Sequence, residues 1–339
     1  MEKNNFDFLR FAFAFVVVLS HIVDLSLAPE LKFLKPFFDT HISVTGFFII
    51  SGFLISASYL KSKSLSSYLI KRARRLLPAY LFVVLFSAVA LSMVSSLPLN
   101  EYFSHSDFRK YLAANLFFVN FIQPCLPGVF LHNIYCSING ALWTIKVEVT
   151  FYLVLPLLLY PLSRIKRPNS ILVAYYLLGL IYQYGCFFLA LLYPARASFF
   201  ETLQHQMPGF LTYFTAGILL YLNRNWVESR RSLFLPLSIF IFCVEYYFQL
   251  EILRPMAMAI LIMFFAYGFK PLNNFGMYGD FSYGIYIFHF PLIQLFTDLH
   301  LFEKYNPFLV AILLIFLLIT LAVSSWNFLE KRFLKSRIH

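Results

Sequence analysis

The sequence predicts an all-α, polytopic membrane protein of about ten transmembrane helices with both termini in the cytoplasm. Three observations lead there. Of the 339 residues, 60% are hydrophobic and 13% are charged, and the mean hydropathy is +0.73. Soluble domains of this length are not so apolar. Apolar stretches of about 20 residues recur along the whole chain, each long enough to cross a hydrocarbon layer. The net charge of +11 sits in short basic loops, as the positive-inside rule expects. That placement favours the lipid bilayer over nucleic acid as the partner. The first apolar stretch is too long for a cleavable signal peptide and lacks a small-residue cleavage site. No internal repeat or linker interrupts the chain, so 1–339 reads as a single membrane-embedded domain.

The first predicted span, about 7–27, holds NFDFLRFAFAFVVVLSHIVD. Arg10 stands near its start and His21 lies eleven residues further on. Eleven residues at ~100° each return to within about 20° of the same face, and they climb ~16 Å. Arg10 can therefore sit at the membrane surface while His21 lies near the middle of a layer ~30 Å thick. Ionisable groups at that depth usually face a protein interior or a wet cavity. A core histidine bonded to a neighbouring helix, with Arg10 as a surface anchor, is the plain structural alternative. Asp24, one turn beyond His21, would either orient the imidazole or mark the end of the helix.

The second span, about 40–60, contains GFFIISGFLIS, whose Gly46, Ser51 and Gly52 permit close helix packing. The densest basic run follows, KSKSLSSYLIKRARRLLPAY, and marks the cytoplasmic side. Pro78 is expected to open the third span, about 78–97. Arg72 and Arg75, three apart, share a helix face, and guanidinium groups bind phosphate oxygens bidentately. Equally, the run could be a topology anchor against anionic headgroups. The apolar YLAANLFFVNFI is too short to span and reads as interfacial or re-entrant on the outer side.

The next span, about 143–163, begins at NGALW outside and ends in the basic RIKRP inside. Glu148 lies five residues inside Trp143, ~7 Å below the interface, where a carboxylate is a functional candidate by default. Lys146 points away from it and can snorkel outward. Further spans fall near 170–192, 207–223, 232–249, 252–269, 281–299 and 308–327. With this topology most of the 27 lysines and arginines fall inside. Ahead of the ninth span, GDFSYGIYIFHFPLIQ, Asp280 and Ser282 look like an N-cap region. His289 lies ~13 Å along that helix, and Pro291 frees a backbone carbonyl. His21, Glu148 and His289 thus all fall in a middle zone of the bilayer.

Of four cysteines, Cys186 and Cys243 lie in apolar segments and read as packing residues. Cys125 and Cys136 flank a short outer loop where a disulfide is possible. No His/Cys cluster suggests a metal, and no nucleophile elbow, P-loop or Rossmann pattern is present.

Six stretches, in order, resemble the acyltransferase family 3 membrane proteins: FDFLRFAFAFVVVLSH, GFFIISGFLIS, IKRARRLLPAY, NGALWTIKVEVTFYLVLP, DFSYGIYIFHFP and SWNFLEKRFL. The resemblance runs from residue 6 to about 334. It implies an O-acyltransferase of the bacterial inner membrane. Such an enzyme moves an acyl group, often acetyl, from cytoplasmic acyl-CoA to a surface polysaccharide or its lipid-linked sugar precursor. It implies that Arg10 and His21 are the catalytic pair, that Glu148 is the acidic member, and that Arg72 and Arg75 lie near the CoA phosphates. Tyr283 and His289 are then substrate-side candidates. Lys71 and Thr144 depart mildly from the family's usual arginine and serine. Some members carry an added SGNH-type domain; this chain ends just after its last span, so the membrane domain would hand over the acyl group itself or use a partner. His21 would serve as a general base or a transient acyl carrier. A transporter of polar solutes and an acyltransferase with a non-glycan acceptor are the rival readings.

Overall fold

The computed structural model describes residues 3–161 and 168–335. Among these the chain is helical with no strand; one isolated bridge pairs Cys125 with Ser137. The basic run at 164–167 and residues 336–339, on which part of the predicted topology rests, lie outside the described residues. The long helices are α1 (Phe6–Leu25), α2 (Thr40–Leu60), α3 (Leu65–Ala90), α6 (Leu142–Leu159), α7 (Pro168–Leu192), α9 (Leu211–Glu228), α10 (Arg231–Tyr247), α11 (Arg254–Gly268), α12 (Ser282–Asp298) and α14 (Pro307–Ser325). Between them lie short helices α4 (Leu99–Ser104), α5 (Ser106–Leu116), α8 (Ala197–Gln204) and α13 (Leu301–Lys304), and α15 (Lys331–Lys335) follows.

A helix occupies every stretch predicted to span. Six of them, α1, α2, α3, α6, α7 and α14, are long and apolar enough to cross a membrane. The number rises to seven if α11 and the bent segment after it, Lys270–Tyr278, form one span. The others fall short: α10 and α12 have 17 residues each and α11 has 15, while α9 ends in the polar run from Asn223 to Glu228.

Pro78 does not open α3. The helix begins at Leu65 and runs through Pro78, so Lys71, Arg72, Arg74 and Arg75 stand on its first turns. The reason lies in LSSYLIKRARRLL, where leucine, lysine, arginine and alanine are all good helix formers. A proline in mid-helix then costs one hydrogen bond rather than the helix. The segment read as interfacial begins helical in α5 and continues as irregular chain.

The chain falls into two compact units, and α1, α2, α3 and α6 each contribute to both. The first comprises Met1–Leu9, Val44–Leu69 and Val147–Met277. There α2 and α9 cross backbone to backbone. A Cβ on Gly52 would stand 2.1 Å from the Phe214 carbonyl oxygen, and one on Gly217 would stand 2.1 Å from that of Ile49. Gly52 thus makes the close approach its small size suggested. Asn5 caps α11, its N–H on the Ala266 carbonyl at 2.8 Å. Pro156, inside α6, leaves the Tyr152 carbonyl without a helical donor. The buried Tyr68 hydroxyl supplies one at 3.0 Å.

The second unit comprises Arg10–Ser43, Ile70–Lys146 and Tyr278–His339. Gly284 lets α12 lie against α14, where a Cβ would stand 2.9 Å from the Ala322 Cα. The Tyr80 hydroxyl donates to the Asn115 carbonyl at 2.7 Å, and that of Tyr102 to the Ala88 carbonyl at 2.7 Å. Cys125 and Cys136 are joined in a disulfide, their Cα atoms 5.3 Å apart.

Candidate functional site

The site is built in the second unit, from α1, α3, α12 and the chain that leads into α6. His21 Nδ1 lies 2.8 Å from His289 Nε2, and the two rings are nearly parallel. His289 is fully buried, whereas His21 is half-buried. On its far side His289 Nδ1 lies 2.6 Å from the Tyr286 carbonyl oxygen.

These contacts fix the tautomers of the neutral pair. A carbonyl only accepts, so His289 Nδ1 carries the proton and its Nε2 accepts. His21 must then donate from Nδ1, which leaves its Nε2 with a free lone pair. The chain of bonds ends in one basic, nucleophilic nitrogen on the more accessible ring.

The same two helices meet again nearer their starts. Arg10 Nη2 lies 3.1 Å from Asp280 Oδ2, and the Arg75 guanidinium binds that same oxygen. Arg75 also reaches Glu330 Oε2 at 3.4 Å, with Glu330 only 1% exposed. A π-helical turn, Trp326–Glu330, follows α14 and carries this carboxylate, which also accepts from Ser325 at 3.1 Å. Single π turns often mark functional sites. The Arg75 guanidinium stands 5.7 Å from the Tyr283 ring centroid and 5.9 Å from that of Trp326. Burial alone would push the Asp280 carboxyl up. The charges of Arg10 and Arg75, helped by bonds from Ser282, outweigh it and hold the group at about 2.

A third set of contacts ties residues 133–144 to α12. Asn133 Nδ2 donates to the Gln294 carbonyl at 2.9 Å, and Gln294 Nε2 donates to the carbonyls of Tyr135 and Ser137 at 2.6 and 2.9 Å. Gln294 thereby grips the end of the loop that the disulfide closes. Thr144 Oγ1 lies 2.8 Å from the Tyr286 hydroxyl. Gly140 faces the Phe290 ring, where a Cβ would stand 2.6 Å from Cζ. Phe290 in turn packs edge-on against His21 at 5.5 Å.

The predicted residues are thus brought together in part. Arg10, His21, Arg75, Tyr283 and His289 share one unit and its contacts. Arg72 lies one turn before Arg75, half-buried. The Tyr283 hydroxyl donates to the Leu76 carbonyl at 2.9 Å. Glu148 belongs to the other unit, where Tyr152, one turn on, donates to its carboxylate. Asp24 does not orient His21. It pairs with Lys35 and takes a 3.4 Å contact from Ser20, because His289 already fills the Nδ1 side of the ring. Sequence spacing gives no sign that Asp280 and Glu330 are the ion-pair partners of Arg10 and Arg75. Asp280 does bond Ser282 N–H and hydroxyl as a local cap would, and that local pattern hid its long-range role. Among the described residues no group of three or more His, Cys, Asp or Glu is placed to hold a metal.

Comparison with known proteins gives a consistent answer. A family model described as "Acyltransferase domain" matches residues 3–326 and so runs through both units. The "O-acetyl transferase" of Shigella phage Sf6 is 30% identical over 98% of this chain and 97% of its own length. "Nodulation protein 10" of Rhizobium leguminosarum bv. viciae is 35% identical over about half of each chain, 52% here and 50% there. A "Putative acetyltransferase ORF330" of Acidianus two-tailed virus is 25% identical over 82% of this chain and 80% of its own. No solved structure matches. With the family model covering nearly the whole chain, the protein belongs to acyltransferase family 3 and is a multi-pass membrane O-acyltransferase that passes an acyl group to a hydroxyl.

Proposed function

We propose that the protein takes its acyl group, acetyl in the first instance, from acyl-CoA at the cytoplasmic face. The acceptor is a hydroxyl of an envelope glycan or of its lipid-linked precursor. The observation that carries the residue assignment is the bonded chain from the Tyr286 carbonyl through His289 to His21. It leaves His21 Nε2 ready either to take the acceptor's hydroxyl proton or to accept the acyl group itself. As a base, Nε2 removes the proton while the hydroxyl oxygen attacks the thioester carbonyl, and the departing thiolate takes that proton back. His289 holds the tautomer and stabilises the imidazolium. The name of the phage relative supports acetyl as the group moved. The glycan acceptor rests on the sequence resemblance.

Arg10 and Asp280 hold α1 to α12 below the histidines. Arg72, one turn from the Arg75 cluster, is the donor phosphate contact, and Arg75 orders the site through Asp280 and Glu330. Tyr283 packs under Arg75 on the donor side. Glu148 acts with its Tyr152 partner. We further read the chain as one domain in the bacterial inner membrane, with about ten spans and both termini inside. Helices at all the predicted stretches and the crowding of basic residues into a few loops support that topology.

The test is acyl transfer from labelled acyl-CoA to envelope glycan, normalised to membrane-inserted protein. His21→Gln keeps hydrogen bonding but neither takes a proton nor carries an acyl group near neutral pH. It is expected to be as inactive as His21→Ala. Substantial turnover by His21→Gln would overturn the assignment.

A further inference from the structure

Pro291 has no N–H, so the carbonyl of Ile287, four residues earlier on α12, has no helical donor. Ile287 is fully buried, and an unmade bond there is costly. Asn139 supplies it: its Nδ2 donates to the Ile287 carbonyl at 2.8 Å. Asn139 is itself buried, at 8% exposure, and its Oδ1 has no hydrogen-bond partner among the described residues. The adjacent carbonyl, that of Tyr286, is where His289 Nδ1 binds. The turn that Pro291 breaks is therefore the turn that aims His289 at His21. Just after Asn139, Gly140 packs on Phe290 and Thr144 meets Tyr286.

We propose that Asn139 is a positioning residue for acyl transfer: it closes the carbonyl left open by Pro291 and so fixes the angle at which His289 meets His21. This rests on His21 being the reacting group. A residue acting in this way affects turnover and leaves donor binding alone.

The experiment uses the full-length protein in lipid vesicles, with labelled acetyl-CoA as donor. It records kcat, KM for the donor and thermal unfolding. Asn139→Asp keeps the shape and removes the donor group. It and Asn139→Ala are expected to lower kcat about tenfold or more with KM changed less than about twofold. Asn139→Ser, which keeps a short donor, should retain more turnover than either. In a Pro291→Ala background the peptide N–H returns to the helix, and Asn139→Ala should then cost much less. Where Pro291→Ala is itself inactive, the order of Ser above Ala and Asp decides alone. Wild-type kcat in Asn139→Asp, or a fall in kcat matched by an equal loss of folded protein, overturns the inference. His21→Gln is run alongside. If it is inactive while Asn139→Asp is normal, only this inference fails. If it keeps wild-type turnover, the histidine assignment fails and takes this inference with it.

Discussion

Arg10 binds Asp280 at 3.1 Å, and this ion pair ties α1 to the start of α12. Eleven residues on along α1 stands His21, and nine residues on from Asp280 stands His289; the two meet at 2.8 Å. The helices are thus held at two levels ~13–16 Å apart along their axes. The lower tie is ionic and the upper one is the histidine pair proposed to react.

The upper tie gives the first prediction. His289→Phe removes the acceptor for His21 Nδ1 and frees the tautomer. The expected loss in kcat is about a hundredfold, the scale of a general acid–base contribution. His289→Gln can still accept from His21 through its amide oxygen and should lose less. Initial rates at equal membrane insertion check both.

The lower tie is tested by removing its shared carboxylate. Asp280→Asn leaves Arg10 and Arg75 without that charge, and breaking a buried pair costs on the order of 3 kcal/mol. The folded carboxyl is held at about 2 against an ordinary 3.8. A depressed carboxyl contributes stability that is complete above the unfolded value and is lost as pH falls through the folded one. The gap in unfolding midpoint between wild type and Asp280→Asn should therefore be flat above pH ~4 and close between ~4 and ~2. Unfolding in detergent across that range measures it.

Arg72 and Arg75 should separate kinetically. Arg72→Ala is expected to raise KM for acyl-CoA by about tenfold or more, the loss of one charge-assisted bond of ~1.5–3 kcal/mol. Arg75→Ala should lower folded yield and turnover together, because Asp280 and Glu330 lose a partner. Lysine should replace neither fully, since it lacks the planar fork. Steady-state kinetics with thermal unfolding distinguishes the two patterns.

Gly140→Ala should cut turnover sharply, because the new Cβ meets the Phe290 ring that packs on His21. Adding Phe290→Leu makes room and should restore a good part of it. Non-additive coupling of about 1 kcal/mol or more between the two substitutions is the expected signature.

Unreduced, denatured protein should show two reactive thiols, Cys186 and Cys243, and reduction should expose two more. Replacing Cys125 and Cys136 by serine should lower stability by about 2–4 kcal/mol. It should also loosen the segment that Gln294 holds, read as faster amide exchange over 133–137.

The sequence carried much of this architecture because apolar length and helical spacing are local signals. Arg10 and His21 could be put on one face from their spacing alone. Their partners could not, because nothing local in a chain says which helix lies beside which. Asp280 satisfied a nearby serine and so looked complete. Glu330 lies 255 residues from Arg75, in a terminal stretch, SWNFLEKRFL, whose family resemblance says nothing of its partner. Pro78 stands in mid-helix rather than at the first turn, and sequence alone does not tell the two places apart. The proline at 291 announces a freed carbonyl, but the donor that fills the gap, Asn139, comes from another segment.

The π turn that carries Glu330 also bears on how the protein is made. Arg10 and Arg75 leave the ribosome long before Asp280 and Glu330, which follow Arg75 by 205 and 255 residues. The cluster can therefore close only once Glu330 has been made. A chain cut after residue 326 would keep the whole stretch matched by the family model yet lack one of its two carboxylates. Such a truncation is expected to insert its spans while the ion-pair cluster around Arg75 stays incomplete.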